Sequence, residues 1–526
     1  MSTSNRRNWL WFCLWLGMIL IGVVLLVDRL GSTAEAAPAS TNSPTVSTGY
    51  KYIVLAWNDL GMHCYNRDFS DLAVLPPYNT LWAQVIKVGD PPQIITSGIS
   101  VTYAFPDNTY SVGKSNFWTY AQQLFGLPSP LPPNIGLKGN GLAGTMQLAT
   151  DHFIAEGIPL TEFRDSALTT PYPYQLATII VRDKQTNVEL ARTITVAPLS
   201  TEMHCDSCHD DYGQAGDGTI ATGKVETNIL TLHDREAGTH LMTSRPVLCA
   251  SCHSSNALGT TGQPGVPSLS NAMHAQHKGI VPDTLTGCYN CHPGPTTMCL
   301  RDVMSQQKGM TCINCHGGMD AVSQNTTPWL KEPRCDSAGC HGSTYQQDQA
   351  LYRFSKEHGG VYCEGCHDST HAIAPSREPN DAIKFIGLQG HTGTLNKCTV
   401  CHATWPSSAG PHGFIPPLTP IVSLTPDQAS APEPGTQVIY THTLRNSGNI
   451  SDTYNLTWTS SQAWANVTAD AGGSAIVLDT DQFTSLRVTV TVPAGNGMRG
   501  LIDTTIITAT STFSPTVFAR SIDRTL

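Results

Sequence analysis

Charge is scarce in this chain. Asp, Glu, Lys and Arg make up 13% of its 526 residues, no basic block occurs, and the formal net charge is −10. That balance offers no basic face for phosphate, so no nucleic-acid partner is expected. Cysteine is missing from about residue 416 to the end, and Cys64 is the only one between residues 49 and 198. Long periodic apolar runs are missing from residues 199 to 415, where Gly, Pro, Ser and Thr are frequent. Such a stretch cannot bury enough apolar surface to offset its chain entropy unless a cofactor fills its core.

What is present is concentrated. Fifteen of the 17 cysteines fall in that same stretch. So many cysteines do not suit an ordinary cytosolic enzyme, and in an exported chain they would first suggest disulfides. Export is what the N-terminus predicts. Arg6 and Arg7 precede an uncharged apolar run from Trp9 to Val27, closed by Asp28 and Arg29. Arginines before such a run hold the N-terminus in the cytoplasm and send the rest of the chain across the membrane. Ala34 to Ala36 form an Ala-x-Ala cleavage signal with the cut before Ala37, but the run is also near membrane-spanning length. Residues 1–36 are therefore a signal peptide or a signal anchor. Residues 37–48 read as a polar linker.

Residues 49–198 carry strand-like runs such as "YIVLAW" (52–57), "LWAQVIKV" (81–88), "LATIIV" (176–181) and "ARTITVA" (191–197), with "FWTYAQQLFG" (117–126) as a short helix. They predict a β-rich N-terminal domain. In residues 416–526, "TQVIYTHTLR", "DTYNLTW", "SLRVTVTVP" and "LIDTTIITAT" alternate at period two between turn signals, which predicts an antiparallel β-sandwich. "LRNSGNISDTYNLT" resembles the immunoglobulin-like domains of bacterial secreted proteins.

Six Cys-x-x-Cys-His motifs occupy the middle: Cys205/Cys208/His209, Cys249/Cys252/His253, Cys288/Cys291/His292, Cys312/Cys315/His316, Cys363/Cys366/His367 and Cys398/Cys401/His402. Composition alone would supply roughly 0.02 such motifs. This is the attachment sequence of c-type haem: two thiols add to the vinyl groups of one porphyrin, and the histidine lies below the iron. Zinc sites, thioredoxin-like pairs and disulfides also use Cys-x-x-Cys, but none of them requires histidine after every second cysteine.

A looser copy, Cys335–Cys340–His341, has a four-residue gap. The extra backbone can loop away from the porphyrin, and Ser337, Ala338 and Gly339 are small enough for a tight bend there. Seven covalently attached haems are therefore expected. Cys13, Cys64 and Cys299 are left over. A disulfide between Cys64 and Cys299 and two free thiols are both open. For the His63–Cys64 pair, a metal or haem role and a buried turn are likewise both open.

Distal ligands are expected among His233, His240, His274, His277, His358, His371, His391 and His412, several of which precede a motif by a few to a dozen residues; methionine, with Met242, Met273, Met304 and Met310 nearby, is the alternative ligand at one or two sites. Segment 199–415 is thus read as a haem-cored domain with little regular secondary structure. It resembles the multihaem c-type cytochromes of periplasmic and extracellular electron transfer. That resemblance implies an electron carrier with closely packed bis-histidine haems, passing electrons from redox protein partners to an extracellular or cell-surface acceptor. Some members of that class assemble into filaments, and an uncleaved N-terminal segment would hold this one at the membrane. The alternative is a multihaem oxidoreductase of nitrogen or sulfur oxyanions with one open iron, usually marked by lysine in place of a motif histidine. All seven motifs here end in histidine.

Overall fold

The computed structural model describes residues 51–210, 222–325 and 332–526, except 407, 415–417, 481 and 499. The signal segment and the linker lie outside these residues. Among the described residues no helix is long and apolar enough to cross a membrane.

The N-terminal domain is built from two antiparallel sheets. In the first, β1 (Tyr52–Asn58) pairs with β2 (Asn79–Lys87), which pairs in turn with β3 (Phe153–Ile158). In the second, Ile99–Ala104 pairs with β4 (Tyr174–Asp183), and β4 with β5 (Glu189–Ser200). Side chains alternate across a strand, so β1 serves two clusters. Val54 and Ala56 join the main core with Val85, Val101, Tyr103, Ile179 and Leu199. Leu55 and Trp57 face the other way and pack with Trp82, Ile86 and Tyr362. Tyr362 immediately precedes Cys363, so the outer face of the first sheet is covered by the cysteine-rich segment. Helix α1 (Phe117–Phe125) buries Phe117, Ala121 and Leu124 and ends where Gly126 takes φ 59°.

Ion pairs deepen that attachment. Arg301 is fully buried and donates to both carboxylate oxygens of Asp381, at 2.7 and 3.0 Å, and to the Gly61 carbonyl at 2.8 Å. Lys384 meets Asp368 at 2.8 Å, also buried. Gln84 of β2 donates to the Gly360 carbonyl and accepts from the Tyr362 amide.

Residues from Val422 onward form a two-sheet sandwich. Gln437–Asn446 and Phe483–Thr491 are central in one sheet, Phe518–Thr525, Asp503–Ser511 and Asp452–Ser460 in the other. Their pairings are antiparallel, and a short parallel pairing adds Gln428–Ser430. Tyr440, Leu444, Leu486, Val488, Tyr454 and Ile507 fill the space between the sheets.

Candidate functional site: seven cysteine–histidine motifs

Between the two β-structures the chain runs in single helical turns and loops. Cys312–His316 and Cys363–His367 are one-turn helices, and Cys249–Ser251 and Cys398–Val400 are 3-10 turns. One backbone bond recurs. The amides of His209, His253, His292 and His402 donate to the carbonyl of the first cysteine of their motifs, at 2.9 to 3.0 Å. In the looser copy the His341 amide donates to the Cys335 carbonyl at 3.1 Å, across two more residues. The insertion is absorbed by a turn in which the Cys340 amide donates to the Ser337 carbonyl. Gly339 does not supply the bend through unusual backbone; the left-handed residue is Gly342, at φ 74°.

Six of the seven motif histidines face a second imidazole. The ring centres are 6.3 Å apart in His209–His277, 6.2 Å in His253–His233, 6.1 Å in His292–His274 and His316–His371, 6.0 Å in His367–His412 and 5.9 Å in His402–His358. Two imidazoles on opposite sides of one metal, each with a metal–nitrogen bond of about 2 Å, put their ring centres roughly 6.3 Å apart. Several rings have Nδ1 engaged: His274 with the Ser270 carbonyl, His277 with Met273, His253 with Pro267, and His402 with the Asp90 carboxylate. A bond at Nδ1 fixes ring direction and leaves Nε2 for a metal. Nε2 of His402 is buried with no hydrogen-bond partner. Among the described residues no three His, Cys, Asp or Glu side chains converge as a bare metal ion requires. The arrangement is one of facing pairs beside two thiols, and this donor set fits haem.

Six of the eight expected distal histidines thus stand opposite a motif histidine, and His240 and His391 do not. The pairing does not follow sequence order. His358, five residues before Cys363, faces His402, while the Cys363 motif is faced by His412.

The cysteines of one motif are not equivalent. Cys208 is exposed while Cys205 is half-buried, and Cys208 acts on Cys291 of another motif, whose thiol is raised first by burial and then by that neighbour. Cys252 accepts a hydrogen bond from the Gln263 side chain at 3.2 Å, whereas burial, with Cys252 adding to it, pushes Cys249 up to about 11. The second cysteine is the exposed one in four motifs, at Cys208, Cys291, Cys315 and Cys340, while both cysteines of the Cys249, Cys363 and Cys398 motifs are half-buried.

The motifs are also neighbours of one another. Burial, then Cys291, pushes the Cys205 thiol up to about 11. Cys288 and Cys312 act on each other, each being the largest influence on the other, with the Cys288 thiol lowered and the Cys312 thiol raised. Cys340 acts on Cys315, Cys335 on Cys363, and Cys366 on Cys401. The Cys249 motif joins through α2 (Val225–Ala237), which carries His233 and whose Asn228 donates to the His209 carbonyl at 3.0 Å. The spatial order by first cysteine is 249, 205, 288, 312, 335, 363, 398.

Burial dominates the electrostatics. It pulls His367 down to about 4, aided by His412. Glu364, inside the Cys363 motif, is fully buried with neither oxygen partnered, and burial followed by Asp59 lifts its carboxyl well above the ordinary range. The leftover residues have other roles. His63 meets Asp59 at 3.0 Å, and Cys64 and Cys299 are free thiols near each other, both raised chiefly by burial.

No family model and no curated protein matches the chain. Among solved structures, a FixG-related protein from Vibrio parahaemolyticus is 13% identical over 20% of this chain and 94% of that one, TM-score 0.16. PapD-like domain 7 of human CEP192 is 16% identical over 23% and 87%, TM-score 0.15. A family 123 glycoside hydrolase from Clostridium perfringens is 10% identical over 19% of this chain, TM-score 0.15. The chain spans about a fifth of that enzyme's length, 22%, and the same share of the secreted serine protease VesC from Vibrio cholerae. Similarities of this size carry no argument about function.

Proposed function

We propose that this is an exported multihaem c-type cytochrome that carries electrons along a row of haems held by the seven motifs. The observation that carries the reading is the set of six facing histidine pairs at 5.9 to 6.3 Å, each beside a cysteine pair with c-type spacing. Bound haem would supply reversible one-electron chemistry. The chain's own residues do the rest. The cysteines would fix each group covalently, and the paired imidazoles would hold it from both sides. With an imidazole on each side, those six sites would leave no open position for a substrate, which suits transfer rather than catalysis. Neighbouring motifs follow one another closely enough for their thiols to interact, as short electron steps require. Electrons would come from redox protein partners and leave to an extracellular or cell-surface acceptor, with the sandwich as an attachment or assembly module.

The intact mass of the mature protein, with a haem assay on the same sample, tests this. Seven thioether-linked haems and a stepwise reductive titration are expected. A mature chain without attached haem overturns the proposal.

A further inference from the structure

The seventh site differs from the others. All 19 histidines lie among the described residues, and none of them stands opposite His341. Twelve are taken up in the six pairs. His63 and His204 bond Asp59 and Glu202, His152 stacks on Trp82, and His442 lies in the sandwich against Asp523. His391 turns Nδ1 to the Thr392 carbonyl, and His240 flanks the 3-10 turn Leu241–Thr243. The ring beside His341 is Tyr345, with centres 5.5 Å apart. A phenolate bound opposite an imidazole needs ring centres roughly 8 Å apart. Tyr345 therefore lies alongside the site, where it also meets His412 at 5.1 Å. His341 and Cys340 are exposed, as are His292 and Cys291 of a paired motif, but here the same loop borders a polar hollow of about 320 Å³ that includes Asp336, Ser343 and Lys356.

We propose that the haem held by Cys335, Cys340 and His341 keeps an exchangeable distal position and binds small haem ligands such as carbon monoxide and cyanide. The proposal rests on the haem reading above. It gives the chain one ligand-sensing or reactive centre in the interior of its electron row, between the Cys312 and Cys363 motifs.

The test uses the full-length protein. Oxidised, it is expected to show one high-spin ferric haem among low-spin ones in electron paramagnetic resonance. Reduced, it is expected to bind about one carbon monoxide per chain, read from the Soret band. The double variant Cys335→Ser/Cys340→Ser should lose one haem by mass together with the high-spin signal and carbon monoxide binding. Three results would overturn the proposal: seven low-spin haems with no carbon monoxide uptake, uptake that survives in the double variant, or only six attached haems in the wild type. None of these three touches the carrier reading, which fails only if no haem is attached.

Discussion

His274 and His277 stand one turn apart on α3 (Leu269–His277) and face the histidines of two different motifs, His292 and His209. Residues three apart share a helix face. Both rings donate from Nδ1 to the carbonyl one turn back, at 2.7 Å, so their other nitrogens project from that face together. The helix sets the spacing of two sites at once, and Ser268 caps its start by accepting from the Asn271 amide at 3.2 Å.

The two histidines are separable by spectroscopy. The rings of His209–His277 and His253–His233 cross at 85° and 88°, while those of His292–His274 lie at 22°. Crossed axial rings give strongly anisotropic low-spin ferric signals and near-parallel rings give rhombic ones. His277→Ala should remove one anisotropic signal, and His274→Ala a rhombic one, each adding a high-spin haem. Electron paramagnetic resonance of the two variants checks this, and identical spectra would contradict the pairing.

Arg301 and Asp381 anchor the cysteine-rich segment to the β-domain from a site with no exposure on the arginine. Asp381→Ala leaves a buried guanidinium without its carboxylate and should cost about 3–5 kcal/mol in denaturant unfolding. Arg192→Ala, which removes an exposed arginine from a half-buried Glu189, should cost under about 1 kcal/mol.

The two glycines around the loose motif should behave differently. A Cβ at Gly339 meets nothing within 4 Å and the backbone there is ordinary, so Gly339→Ala should change stability by less than about 0.5 kcal/mol. Gly342 sits at φ 74°, and Gly342→Ala should cost about 1–2 kcal/mol. Intact mass should show the same haem number for Gly339→Ala as for the wild type.

The sandwich carries a pH dependence. Burial works against a charged His442, but the Asp523 carboxylate at 2.9 Å and the Pro426 carbonyl at 2.7 Å outweigh it and raise the group above its ordinary 6.5. A raised histidine contributes stability in full below its unfolded value, and that contribution is lost as pH rises through the folded value. Thermal stability of the sandwich should therefore fall as pH rises from about 6.5, and His442→Gln should flatten the slope.

Much of this was legible in the residues. Runs such as "YIVLAW" and "LATIIV" became β1 and β4 because β-branched and aromatic side chains suit a buried pleat. Phe153–Ile158 escaped notice because Glu156 and Gly157 interrupt its apolar pattern, and Phe518–Thr525 because it carries Arg520, Asp523 and Arg524. Asp523 is buried there as the partner of His442, a fact that lies in another strand. The eight distal candidates could be picked from composition, but their pairing could not. Which imidazole meets which motif depends on loops whose path is set by packing against the β-domain, so proximity in sequence does not give the partner of His358.

Strand β1 has one further consequence. Its even-numbered residues belong to the core of the β-domain, and its odd-numbered residues belong to the cluster that seats the Cys363 motif. The same backbone hydrogen bonds to β2 hold both sets. Neither cluster can melt while the other keeps the strand in register. The N-terminal domain and the neighbouring motifs should accordingly unfold as one cooperative unit, with the β-domain as the template on which the cysteine-rich chain is laid.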